Sequence, residues 1–281
     1  MFHTLFADWD FPPVVCSLLA LVVIVYTAGF LRIRRTRPLQ FPDWRWASFV
    51  SGVLALVVAV SSPLDTFSDK LLSIHMAQHF VLMSVAPPLI VLGAPVVPML
   101  RGLPRWFVRP VLGPCIRQRW LRGFFHALVR PKGAWLLMNL AYIAWHVPGA
   151  YEAALANENI HNCEHACFFF TSVLFWWPVI EPWPSRFRGS RWILLPYLLA
   201  ADIVNTGVSA SLVFAGRVIY PSYAMRPMTF GLTPLQDQAA AGAFMWVLGS
   251  IVFLIPAFVI TMQLLSSKSS RNRGLRAQAA R

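Results

Sequence analysis

The chain has 281 residues, 57% of them hydrophobic and only 12% charged, with a mean hydropathy of +0.59. That balance excludes an ordinary soluble domain and a disordered chain, and it points to a polytopic membrane protein whose solvent is the bilayer. The net charge of +13 sits between apolar runs and in the tail, so it reads as a topology signal and no nucleic-acid partner is expected.

The first ten residues, MFHTLFADWD, carry Asp8 and Asp10 but no Lys or Arg. They lack the basic start of a secretory signal peptide, so the first apolar run is expected to be retained. Seven runs approach the ~20 residues that a bilayer core requires. They cover 12–31, 46–63, 71–94, 132–148, 158–181, 191–215 and 238–265, the fourth being the shortest. Inside lipid the backbone must satisfy its own hydrogen bonds, so each run is expected to be a helix. The fold class read here is all-α: a polytopic integral membrane bundle of seven transmembrane helices spanning 1–266.

Lys and Arg set the orientation. With seven spans, 21 of the 24 basic residues fall on one side; Lys70, Arg217 and Arg226 fall on the other. The positive-inside rule then places the N-terminus outside and the C-terminus in the cytoplasm. The long inner loop, about 96–131, interleaves Arg101, Arg105, Arg109, Arg119 and Arg122 with Trp106, Phe107, Trp120, Phe124 and Phe125. It is expected to lie in the inner interface as amphipathic helical pieces. The basic polar tail, 267–281, is expected to be disordered.

Ionisable residues inside membrane runs mark function by default. The third run opens with His75 and His79, the fifth with His161 and His165, and the fourth closes on His146. Each i,i+4 pair shares one helix face, and His75 and His79 lie about 7 and 13 Å below Lys70 along the axis. All five fall in the outer leaflet and are expected to meet. Imidazole suits zinc, copper and iron, and thioether adds a preference for Cu(I). Met76, Met83, Met225, Met228 and Met245 lie on the same side, although methionine more often serves as packing.

Other polar groups have two readings each. Glu164 orients an imidazole or lines a wet cavity. Asp237 is a ligand candidate or a favourable acid in a helix's first turn. Asp202 and Asn205 form a proton path or a helix–helix hydrogen bond. Cys163 and Cys167 point about 200° away from the histidine face and read as packing residues. Pro87 and Pro88 are expected to kink the third helix below its histidines.

The motifs SSPLD, HMAQH, WHVPGAYEAAL, IHNCEHACFF with FWWP, and DQAAAGAFMW run in order from Ser61 to Trp246. In this order they resemble the multi-spanning CtaG-type cytochrome c oxidase assembly factors. The resemblance implies a bacterial inner-membrane protein that helps mature haem-copper oxidases by delivering copper. By motif match it maps the family's histidines to His75, His79, His146, His161 and His165, and its acid to Asp237. The single-span copper chaperone of the same name has a soluble cysteine-bearing domain that this sequence lacks.

The leading expectation is therefore a copper-binding assembly factor rather than an enzyme. Cu(I) would arrive from outside past Met225 and Met228, with a periplasmic copper chaperone as possible donor and cytochrome c oxidase subunits as recipients. A membrane haem protein in electron transfer is the second reading, because paired histidines can ligate haem. A zinc-dependent membrane hydrolase is the third, since three histidines and a water suffice for catalytic zinc.

Overall fold

The structure is a computed structural model that describes residues 9, 11–184, 189–225 and 231–279. Among those residues every regular element is helical. The long helices are α1 (Pro13–Arg34), α2 (Asp43–Ser61), α3 (Leu72–Leu92), α4 (Pro131–His146), α5 (Glu158–Ile180), α6 (Leu194–Val213) and α7 (Pro234–Ala279).

Six of these are long and apolar enough to cross a bilayer; α4 is not. With 16 residues it measures about 24 Å, short of a ~30 Å hydrocarbon core. Its limits are set by proline. Pro131 starts it, and Val147 is extended ahead of Pro148, which begins a separate helix, Pro148–Ala156. The expected fourth span is thus a shorter helix, packed on α5 within the bundle.

Half of the apolar window of α3 is buried inside the protein, against 17% of that of α1. α3 is the central helix, with α2, α5 and α7 around it. The outer helices turn Leu18, Leu21 and Ile24 of α1 and Leu254, Ile255 and Phe258 of α7 outward, as a lipid-facing surface requires.

Midway along α3 the helix widens into a π-helical turn, Val81–Val85, just before Pro87 and Pro88. Pro87 has no N–H to offer the Met83 carbonyl, and the indole of Trp176 on α5 donates to that carbonyl instead, at 3.1 Å. The expected irregularity is present, and a tryptophan supplies the missing donor.

Small residues let backbones touch. A Cβ on Gly29 would sit 1.8 Å from the Pro98 carbonyl oxygen, so α1 lies directly against the short helix Val96–Gly102. A Cβ on Gly249 of α7 would sit 2.5 Å from the Asn205 amide nitrogen. That space lets Asn205 accept from the Tyr142 hydroxyl at 3.0 Å and donate to the Met245 carbonyl at 3.3 Å. Asp202 accepts from Ser250 at 2.7 Å. Both residues make helix–helix hydrogen bonds.

Residues 96–128 form short helical pieces that leave Trp106, Trp120, Phe124 and Phe125 exposed. α7 runs as one helix from Pro234 to Ala279.

Candidate metal centre

α3 and α5 start at the same end of the bundle and carry their histidines in the same register. His75 and His79 are the fourth and eighth residues of α3; His161 and His165 are the fourth and eighth of α5. An i,i+4 pair forms a ladder on one face, so two such helices side by side make a four-imidazole square. Ligand nitrogens of all four residues lie within 4.8 Å of one another. Ring centroids are 4.3 Å apart for His75–His79, 5.2 Å for His75–His161, 5.4 Å for His79–His165 and 4.1 Å for His161–His165.

Each helix start has its own cap. Asn157 accepts from the backbone N–H of Asn159 and Ile160 at the head of α5. At the head of α3 the cap comes from another helix: Asp237 accepts from the Leu72 N–H at 2.6 Å and from the backbone and hydroxyl of Ser73.

Nε2 of His161, Nε2 of His165 and Nδ1 of His79 are buried without a hydrogen-bond partner. The carboxylate of Glu164 is fully buried, and neither of its oxygens accepts a hydrogen bond. Its Oε1 lies 3.8 Å from Nε2 of His79. Buried polar atoms are nearly always paired, and an isolated buried carboxylate is costly. A cation held by the imidazoles would satisfy the lone pairs and balance the charge together.

His75 is tuned by an outer loop. The Tyr223 hydroxyl donates to the Ser68 carbonyl at 2.8 Å and lies 3.3 Å from His75 Nδ1. With the phenol proton directed to Ser68, its oxygen accepts from Nδ1–H, which turns the Nε2 lone pair of His75 toward the square. His75 Nε2 and His79 Nε2 are 2.9 Å apart. Two nitrogens on a tetrahedral ion with ~2.0–2.1 Å bonds sit about 3.3–3.4 Å apart. A small rotation of either ring therefore accommodates a metal.

Residues 24–267 match the sequence model of the family described as cytochrome c oxidase caa3 assembly factor. The chain belongs to this family. It is also similar to three curated mycobacterial proteins, each called an uncharacterized protein. The Mycobacterium leprae protein is 29% identical over 69% of this chain and 28% of its own length. The Mycobacterium bovis protein is 25% identical over 94% of this chain and 40% of its own, and the Mycobacterium tuberculosis protein gives the same figures. The chain thus spans well under half the length of these relatives. No solved structure matches it.

In this caa3 assembly-factor chain the expected five-histidine cluster is a cluster of four; His146 is not among them. Its short helix ends on it, and Nδ1 donates to the Tyr142 carbonyl one turn back, at 2.7 Å. Asp237 is not among them either, since its oxygens are engaged at the head of α3. Cys163 is exposed and Cys167 half-buried, on the side away from the square. Met225 is exposed, and Met228 falls outside the described residues.

The residues the sequence reading passes over are those that hold the site together. Gln78, fully buried, donates to the Ala59 carbonyl at 2.9 Å and to Asp65 at 2.7 Å, which ties the SSPLD motif to HMAQH. Gln238 donates to the carbonyls of Leu212 and Arg217 and accepts from the Ile219 N–H at 2.7 Å, which pins the outer loop. Tyr151 packs its ring on His75 and on Tyr220. Burial raises the Tyr220 phenol well above its usual range, so it remains a donor, here to the His146 carbonyl. Each is a buried polar side chain beside a family motif, and that is the signal that finds them.

Proposed function

We propose that this protein is a Cu(I)-handling assembly factor for haem-copper cytochrome c oxidase in a bacterial inner membrane, with copper as its cargo and no bond-making chemistry of its own. His75, His79, His161 and His165 hold the ion, and Glu164 balances its charge. The observation that carries this reading is the coincidence of four imidazoles within 4.8 Å, bare nitrogens among them, and a buried carboxylate that accepts no hydrogen bond.

A surplus of exchangeable nitrogens around one small ion suits stepwise handover. His161 is the most exposed member of the set, half-buried while the other three are buried. The site then lies at the outer side of seven spans, N-terminus out and C-terminus in, with α4 counted as a short fourth span. The bias of 21 of 24 basic residues to the other side supports that orientation. Cytochrome c oxidase subunits are the recipients, and a periplasmic copper chaperone is the donor.

A haem finds less support, because a porphyrin must fit between its axial ligands and the facing nitrogens of His75 and His79 are only 2.9 Å apart. The test is the copper content of oxidase purified from cells carrying the His161→Asn/His165→Asn variant at wild-type abundance. We expect it to fall to the level of cells lacking the protein. Full copper content would refute the reading.

A further inference from the structure

Directly below the four-histidine square lies a cavity of about 50 Å³ that reaches toward the middle of the bundle. A single water needs roughly 10–15 Å³ by the same measure, so the cavity has room for an ion and its adjustments. Its walls include His79, His146 and four methionines: Met76 and Met83 of α3, Met138 of α4 and Met245 of α7. These four of the chain's nine methionines come from three separate helices onto one small space.

His146 is prepared for a ligand role in that space. A carbonyl only accepts, so the 2.7 Å contact with Tyr142 places the proton on Nδ1. Nε2 is then a lone pair, and it is buried without any hydrogen-bond partner. The ring is buried in an environment where bare polar atoms are rare. A backbone carbonyl fixing the tautomer of a histidine is the usual support behind a metal ligand.

We propose that His146 and the thioethers of Met76, Met83, Met138 and Met245 form a second Cu(I) site, separate from the square and adjoining it through His79. The donor set specifies the ion: thioether sulfur with one imidazole selects Cu(I) over zinc or other divalent metals. His79 has Nε2 in the square, its Nδ1 is without a partner, and its ring lines the cavity. The two sites thus share a wall, and copper passes between a nitrogen-rich and a sulfur-rich station by ligand exchange with no net chemistry. This inference rests on the copper-handling reading and adds a second station to it.

The test uses full-length protein in detergent, loaded anaerobically with tetrakis(acetonitrile)copper(I), with copper counted per chain and its ligands read by X-ray absorption. We expect about two coppers per chain and both nitrogen and sulfur in the copper shell. Met138→Leu/Met245→Leu conserves side-chain volume and should fold. It should halve the copper count and remove most of the sulfur signal. His161→Asn/His165→Asn should also halve the count but keep the sulfur. Selenomethionine-labelled parent, which needs no substitution, should show copper at the selenium edge. One copper per chain in a purely nitrogen shell, unchanged by the methionine variant, overturns the second site and leaves the square intact. No bound copper at all overturns both.

Discussion

α3 and α5 enter the bundle side by side with the same histidine register, yet their seventh residues differ. On α3 it is Gln78, whose amide donates to Ala59 and Asp65. On α5 it is Glu164, fully buried, with no hydrogen bond at either oxygen. The same position donates two hydrogen bonds through its amide nitrogen in one helix and makes none in the other. A neutral amide is cheap to bury once bonded, whereas a buried carboxylate without donors needs a positive partner.

Gln78→Leu should separate the two most sharply. It leaves the Ala59 carbonyl without its donor and removes one of the contacts to Asp65, at roughly 1–3 kcal/mol for the unsatisfied carbonyl. We expect a large fall in the thermal unfolding midpoint in detergent, with each folded molecule still binding copper. Glu164→Gln should act the opposite way. The apo protein should become no less stable, because the amide replaces a buried carboxyl group that makes no hydrogen bond. Copper affinity, measured by competition with a Cu(I) chelator, should drop by about 10–100-fold, the range seen when the groups supporting metal ligands are removed.

Asp237→Ala asks whether the acid is a ligand or a cap. As the cap of α3 its loss should cost on the order of 1 kcal/mol in stability and leave the copper count unchanged; a lost copper would return it to the ligand set. The smallest effect is expected for Cys163→Ser/Cys167→Ser, which touches neither position. Copper binding and unfolding midpoint should both stay at parent values, since both cysteines are free and lie away from the histidine face.

What was legible in the sequence follows from locality. An i,i+4 pair is a statement about one helix, so His75/His79 and His161/His165 were readable as two ligand pairs, and their shared register made the square predictable. His146 joins them by depth and by motif match. Depth does not say which way a ring faces, and the helix between Pro131 and Pro148 ends where His146 meets the cavity wall instead. Asp237 required a partner 165 residues away to reveal itself as a cap. Hydropathy shows an all-helical membrane chain, but six helices rather than seven are long and apolar enough to cross a bilayer, because two prolines set the shortness of α4. Pro87 and Pro88 announced the irregularity in α3, whereas the tryptophan that repairs it lies 93 residues on.

Copper binding by the four-histidine square is decided by copper per chain after anaerobic Cu(I) loading and desalting, for the parent and for His75→Asn/His79→Asn. We expect imidazole-bound copper in the parent and, in the variant, loss of the imidazole-rich component of the copper shell with the chain still folded. A parent that emerges without copper, or a variant that keeps the parent's full copper and the same ligand shell, would refute copper binding by the square.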